Sequence, residues 1–383
     1  MIRPTSETVI WNMFNSWIHS HRDLPLKINQ WANIVRWEMR TRPFLRTSEF
    51  LWQEGHTAHA SSQEAFAFSQ RILDMYAEFC QDVLAIPVVK GEKSPSERFA
   101  GAEATLTIEA LMQNGWALQS GTSHFLGQNF ARAFEVHFQN ENNERELVWA
   151  TSWGVSTRLI GALLMTHSDD KGIVLPPRVS PHQVVLVPIL TGKEEKDQKV
   201  LGKCHEILRA LEEASVRAHL DDRRNLRHGA KYFEWERKGI PLRIDVGLRD
   251  LEKNASPMTE RVGGEKVSVS LDPAQLVPAV LSSLSSLQTR LLSRAQERLQ
   301  QRTYRLSDYS EMKRLMADPA HAPGFYLVPW RDNAEAEEFI KTDSKATIRC
   351  FPFEHNSSPP DASVRCFYSK EPATHFAIFA RAF

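Results

Sequence analysis

Two alternating runs, residues 26–37 and 49–60, read as strands and flank the charged, turn-prone stretch Arg40-Thr41-Arg42-Pro43. The first run ends in Arg36-Trp37-Glu38, and the second is entered through Arg46-Thr47-Ser48-Glu49 and continues to Trp52-Gln53-Glu54-Gly55-His56. Residues two apart on a strand share a face, so Arg36 and Glu38 are expected side by side. A face that carries a cation and an anion suits a ligand bearing both charges, and a fixed guanidinium suits a phosphate. The plain alternative is an antiparallel hairpin laced by salt bridges.

Three further segments agree with this window in kind and in order: Pro4-Thr5-Ser6-Glu7, Gln119-Ser120-Gly121-Thr122-Ser123-His124, and Thr151-Ser152-Trp153-Gly154-Val155-Ser156-Thr157-Arg158. The window resembles motif 2 of a class II aminoacyl-tRNA synthetase. In its detail it resembles the prolyl-tRNA synthetases. The first segment resembles their Thr-x-Glu loop, the second their substrate-pocket strand, and the third motif 3. The resemblance runs over essentially the whole chain.

Composition sets few limits. The 47 basic and 47 acidic residues balance, so no overall field marks a nucleic-acid partner, although basic residues can be concentrated locally. No apolar stretch approaches the roughly 18 residues needed to span a bilayer, and the N-terminus is no signal peptide. Cys80, Cys204, Cys350 and Cys366 are widely spread, which points to a reducing cytoplasm without a disulfide framework.

The pattern predicts an α+β protein in three parts. Residues 1–176 hold the charged constellations. They include a helix after Pro4 with a stripe of Val9, Ile10, Met13, Phe14, Trp17 and Ile18. A second helix after Ser61-Ser62 carries Ile72, Leu73, Tyr76, Phe79, Val83 and Leu84, strands follow near 105–111 and 146–151, and a closing helix spans 155–165. Pro176, Pro177 and Pro181 mark a linker. Residues 182–302 alternate strands (184–188, 218–220, 242–246, 266–271) with helices (194–213, 273–302), as in a small α/β domain with a mixed sheet. Residues 303–383 form a smaller α/β region whose apolar end, Ile378 to Phe383, is expected to dock.

The resemblance implies a class II antiparallel-sheet catalytic domain over 1–176, an anticodon-binding domain over 182–302 and a C-terminal domain over 303–383. It implies a proline–tRNA ligase that makes prolyl-adenylate from ATP and transfers proline to the 3′ end of tRNA(Pro). The catalytic pair would be Arg36, on the substrate carboxylate and α-phosphate, and Arg158, on the γ-phosphate. Glu38, Arg46, Thr47, Gln119 and Thr122 would join them around ATP. Thr5, Glu7, Arg36, Trp52, Glu54, His56, Thr122, His124, Ser152 and Gly154 would hold proline, with Gly154 leaving room for the ring. Magnesium would bridge the phosphates, with Glu49 as a candidate ligand. Glu234, Arg243 and Arg249 would contact RNA.

Two departures from the pattern shape the expectations. The chain starts at the Thr-x-Glu loop, so the stretch that carries motif 1 and the dimer interface in full-length members is expected to be missing, and independent folding and dimerisation with it. Where long-form relatives carry a four-cysteine zinc cluster, this chain has Arg331 and Ala336, and Cys366 is followed by Ser369, so no structural zinc is expected. The alternative function is a catalytically idle synthetase-like RNA-binding or regulatory protein. A stand-alone editing protein is disfavoured, since no editing-like insertion separates residues 60 and 120.

Overall fold

The structure, a computed structural model, describes residues 2–383. It divides into two compact units: one is built from the chain up to Gln81, Ile86–Ala162 and Glu297–Phe383, the other from Asp82–Ala85 and Leu163–Gln296.

The first unit opens with α1 (Glu7–Trp17). Ile10, Trp11, Phe14 and Ile18 form its buried stripe, whereas Val9, Met13 and Trp17 of the expected stripe are exposed. The helix is apolar round most of its circumference, so periodicity alone left the phase of the buried face open. β1 (Leu26–Val35) and β2 (Glu49–His59) pair antiparallel, Leu26 opposite Ala58 and Val35 opposite Glu49. β1 stops two residues earlier than expected. The Arg36 amide still reaches Ser48 O at 2.7 Å, and the chain then leaves the ladder. Arg36 and Glu38 therefore do not share a strand face.

α2 (Ser62–Glu78) is capped by the Ser61 hydroxyl, which accepts from the Glu64 amide at 3.2 Å. A π turn at Phe79–Val83 then shifts the helical phase, which leaves the expected core residue Phe79 exposed while Ile72, Leu73 and Tyr76 are buried. β3 (Val88–Glu92), β4 (Ala104–Leu111), β5 (Ala117–Gly127), α3 (Asn129–Ala133), a small ribbon of β6 (His137–Gln139) and β7 (Arg145–Leu147), and β8 (Trp149–Ser156) follow. β8 lies between β2 and β5 and is paired on both sides through Gly154, so it persists beyond the expected helix start, and α4 (Arg158–His167) begins only at Arg158.

The second unit contains β9 (Val184–Pro188), α5 (Glu194–Glu213), β10 (Ala218–Leu220), α6 (His228–Arg237), β11 (Leu242–Val246), α7 (Leu248–Lys253), β12 (Ala255–Glu260), β13 (Lys266–Ser270) and most of α8 (Pro273–Gln301). Its sheet has the order β10-β9-β11-β12-β13, with the first three strands parallel and the last two antiparallel. α7 and β12 were not foreseen. The Asp250 carboxylate accepts the Gly247 amide at 2.8 Å and starts α7 at Leu248.

The chain then returns to the first unit with β14 (Thr303–Arg305), α9 (Tyr309–Ala317), β15 (Phe325–Trp330), α10 (Ala334–Ser344), β16 (Thr347–Pro352) and β17 (His375–Ala380). These strands extend the large sheet, whose ten strands run β1-β2-β8-β5-β4-β3-β16-β17-β15-β14. The seam is β3–β16, with Gly91 opposite Pro352. A side chain at Gly91 would place its Cβ 2.6 Å from Phe351 O, so the close approach requires glycine. Phe325, Tyr326, Leu327, Val328 and Ile348 are all buried and hold this part, and the last residues, expected to dock, run beside β5 through an Ala117–Ala382 bridge. Among the described residues no helix is long and apolar enough to cross a membrane.

Candidate active site

Register in the large sheet brings distant residues into transverse rows. One row is Gln30, Glu54, Gly154 and Thr122. The next is Ile28, His56, Ser152 and His124. Directly opposed residues of antiparallel strands present their side chains on one face, so β1, β2, β8 and β5 build a common floor. The loop before α1 lies against this floor. Ser6 Oγ donates to Glu54 Oε1 at 2.5 Å, Ser152 Oγ donates to Glu7 Oε1 at 3.3 Å, and Thr5 bonds to Glu7 Oε2.

The two buried carboxylates differ in what they have left to offer. Glu54 receives Ser6 and Gln30 (Nε2, 2.5 Å) on one oxygen and faces His56 Nε2 at 3.0 Å on the other. Burial pushes the Glu54 carboxyl up, but the bonds from His56, Ser6 and Gln30 outweigh it and hold the group below the usual range. Glu54 is thus an ionised anchor for His56 and the Ser6 loop, whereas Glu7 keeps acceptor capacity. Burial, and then the neighbouring His56, push the His124 imidazole down to about 3. Its neutral ring bonds Thr105 Oγ1 at 3.0 Å through Nδ1 and lies 4.7 Å from the Phe99 ring.

Arg36 stands at the end of this floor. Its Nε donates to Pro4 O at 2.8 Å, and its guanidinium lies 5.4 Å and 5.7 Å from the Phe50 and Trp52 ring centres. Arg36, Phe50, Trp52, Gln119, Ser120, Gly121, Thr122, Gly154 and Arg158 line one open cleft. Arg158 is held by backbone: Nε donates to Leu45 O at 3.1 Å and Nη1 to Gln119 O at 3.4 Å. Burial, then the charge of Arg46, pulls its pKa down, while Glu109 opposes them. A Cβ at Gly154 would sit 3.3 Å from Gln53 O and 3.6 Å from the Trp52 ring, over the space between the two groups of residues.

Most of the sequence-predicted residues therefore converge. Arg36, Trp52, Gln119, Thr122, Gly154 and Arg158 line the cleft, and Thr5, Glu7, Glu54, His56, His124 and Ser152 form the adjoining floor. Glu38, Arg46 and Thr47 belong to the loop between β1 and β2. Glu38 pairs with Arg46 at 3.7 Å rather than with Arg36, and the Thr47 hydroxyl donates to Glu49 O at 2.7 Å. Sequence reasoning missed Ser6, Gln30 and Phe50. Gln30 was within reach of the alternation, which sets it between the half-buried Ile28 and Ala32. Ser6 lies inside the Thr5–Glu7 segment.

In the second unit, Arg243 is occupied by Asp245 at 3.0 Å and by the Tyr232 ring at 3.7 Å. Glu234 is bonded to Lys238 (2.6 Å) and Arg223 (3.0 Å). Arg249 is exposed near the start of α7.

A buried antiparallel sheet with carboxylates on its floor, an arginine just past the end of the β1 strand of its hairpin and another where β8 meets α4 are the arrangement of a class II aminoacyl-tRNA synthetase. Comparison with known families agrees: the model for the tRNA synthetase class II core domain (G, H, P, S and T) matches residues 1–167, that for an anticodon binding domain residues 183–278, and that for the prolyl-tRNA synthetase C-terminal domain residues 317–383. Proline–tRNA ligases of Porphyromonas gingivalis and Amoebophilus asiaticus are 49% and 50% identical over the whole chain, which spans 76% of each. The crystal structure of prolyl-tRNA synthetase from Cryptosporidium parvum with L-proline and AMP superposes with a TM-score of 0.94 at 41% identity, over 100% of this chain and 78% of that one. A second structure of the same enzyme, with halofuginone and AMPPNP, gives 0.93 at 40% identity over 100% and 77%. The chain belongs to the proline–tRNA ligase family.

The zinc cluster of long-form relatives does not fit the residues at its place. Arg331 brings a cation and pairs with Glu371 at 2.9 Å, and Ala336 offers no donor. Cys350 and Cys366 are buried in separate apolar clusters. Among the described residues no three His, Cys, Asp or Glu side chains gather as a metal site.

Proposed function

We propose that the cleft and its floor activate proline with ATP and pass it to tRNA(Pro). The observation that carries this reading is the placement of Arg36 between the two halves of the site, with the Glu7 and Glu54 floor on one side and Gln119 and Arg158 on the other. Proline's secondary ammonium pairs with Glu7, whose oxygens each accept only one hydroxyl in the structure, with Thr5 and Thr122 beside it. Glu54 holds His56 in place. The pyrrolidine ring lies over Gly154 against Trp52, with His124 and Ser152 completing the wall. Arg36 binds the carboxylate and the α-phosphate together. It offsets the repulsion between two anions and aligns the carboxylate oxygen for attack at phosphorus. The new bond is a carboxyl–phosphate anhydride, and pyrophosphate departs. Arg158 grips the leaving γ-phosphate end, Gln119 and Thr122 flank the nucleotide, and Glu38, Arg46 and Thr47 close over it from the hairpin loop. In the second step the hydroxyl at the 3′ end of tRNA attacks the carbonyl, and AMP leaves.

Magnesium would arrive with ATP and supply positive charge against its phosphates. Glu49, which accepts a hydrogen bond from Asn33 Nδ2 at 2.5 Å, is the carboxylate that would hold it. The division 1–176, 182–302 and 303–383 is retained for catalysis, anticodon binding and the C-terminal part. Within the middle part Arg249 is the freest of the three RNA-contact residues, and Glu234 and Arg243 reach RNA by exchanging their present partners. A homodimer, for the full-length family member, and a cytoplasmic location complete the assignment.

The test is proline-dependent exchange of pyrophosphate into ATP. Arg36→Ala and Arg158→Ala should each slow it by roughly 10²-fold or more, the scale for removing a preorganised charge stabiliser. Near-normal exchange in both would remove the assigned roles.

A further inference from the structure

Behind the nucleotide end of the cleft lies a buried ion cluster that joins the two ends of the first unit. Glu109 on β4 is fully buried. Arg349 on β16 clasps it with a bidentate fork, Nε to Oε2 at 3.1 Å and Nη2 to Oε2 at 2.9 Å and to Oε1 at 3.2 Å. Lys93 donates to Glu109 Oε1 at 2.8 Å and to Arg349 O at 2.7 Å. Thr107 Oγ1 reaches Glu109 Oε1 at 3.3 Å and Gly121 O at 3.4 Å.

This cluster is one step from the cleft by two routes. Glu109 is paired in the ladder with Gln119, at a register shift between Ile108 and Glu109, and the Gln119 carbonyl is the acceptor that holds Arg158 Nη1. Thr107 links Glu109 to Gly121, which lines the cleft. The charges do not balance either. Two cations, each at most a tenth exposed, share one carboxylate, and Arg158 adds a third positive charge nearby. A buried cation is costly unless it is compensated. An excess of positive charge under the cleft is compensated when a polyanion sits above it.

We propose that Arg349 and Glu109 are positioning residues for the nucleotide half of the site. The fork fixes the register irregularity between β4 and β5 that carries Gln119 and Gly121, and so sets where Arg158 presents its guanidinium to the triphosphate. The C-terminal part thereby takes a share in ATP binding without touching ATP. Glu109 is held ionised because Arg349 and Lys93 together outweigh the effect of burial.

The inference rests on Arg158 and Gln119 facing the nucleotide. The experiment is steady-state pyrophosphate exchange, with KM for ATP and for proline measured separately. Arg349→Lys keeps the charge and loses the fork. It should raise KM for ATP roughly tenfold, since small displacements in a preorganised site are felt at that scale, while KM for proline stays within about twofold. Glu337→Gln is the control at the same seam, where Glu337 accepts Ser94 at 3.0 Å and Ser96 at 2.6 Å. It should lower the melting temperature and leave KM for ATP unchanged. An unchanged KM for ATP in Arg349→Lys overturns the proposal. So does an equal rise in both KM values, or a comparable rise in Glu337→Gln, because either outcome means general loosening of the C-terminal part. Arg158→Ala in the same assay separates the two levels. If it too leaves KM for ATP unchanged, the nucleotide assignment itself fails; if it alone raises KM, only the positioning role does.

Discussion

Glu7 and Glu54 lie on the same floor, yet hydrogen-bond bookkeeping gives them different work. Glu54 takes three partners, Ser6, Gln30 and His56, whereas Glu7 takes two hydroxyls, Thr5 and Ser152. The residue types were legible in the sequence because a zwitterion next to a phosphate demands arginines and carboxylates close together. The division of labour was not, since it depends on Gln30 and Ser6, whose neutral side chains carry no signal in a charge pattern. Trp52 offers the sharpest test at this scale. It stands edge-to-face with Phe50, their ring centres 5.7 Å apart, and meets Gly154 at the cleft floor. Trp52→Ala should weaken proline binding far more than ATP binding in separate calorimetric titrations. Equal losses would point to a misfolded pocket instead.

At the scale of elements, β2 and β8 must be nearly flush for the two rows of site residues to meet. On the opposite face Gly55 pairs with Trp153, whose indole covers it. A Cβ at Gly55 would fall 2.1 Å from Trp153 Cζ2. Trp153 is itself confined by Phe68, with ring centres 5.4 Å apart, so it has little room to yield. Gly55→Ala is therefore expected to destabilise the protein by about 1–3 kcal/mol, the usual cost of overpacking, read as a lower denaturant midpoint; an unchanged midpoint would show that the indole can move. Long elements such as β1, β2, α5 and α8 were legible from alternation or helical period. Boundaries set by tertiary partners were not. β8 keeps its strand form through Ser156 because β2 pairs with it that far, after β5 has left it at Gly154, and Phe79 leaves the core because a π turn intervenes. The union of β3 with β16 had no local signal at all, as its only requirement in sequence is a glycine at position 91.

For the molecule as a whole, the C-terminal strands extend the large sheet and are held by apolar packing, an Arg331–Glu371 pair and, at the seam with the catalytic strands, the buried Glu109 cluster. Elemental analysis of the purified protein should find no stoichiometric zinc, and chelators should leave its melting temperature where it is. One tightly held zinc ion per chain would mean that other residues gather there. The ten-stranded sheet also has a history in time. β3 emerges early from the ribosome, but its neighbour β16 is translated only after the entire second unit. Throughout that interval the edge of β3 has unpaired backbone groups and Val89 without its cover, the kind of edge that recruits wrong partners. The expected order of synthesis is therefore a waiting first half, a middle part that folds on its own, and a late zipping of the sheet. Chains halted after Ser344 should be cut by protease within 88–111 where finished chains resist. In this protein a strand made after the second unit releases β3, made before it, from its exposure.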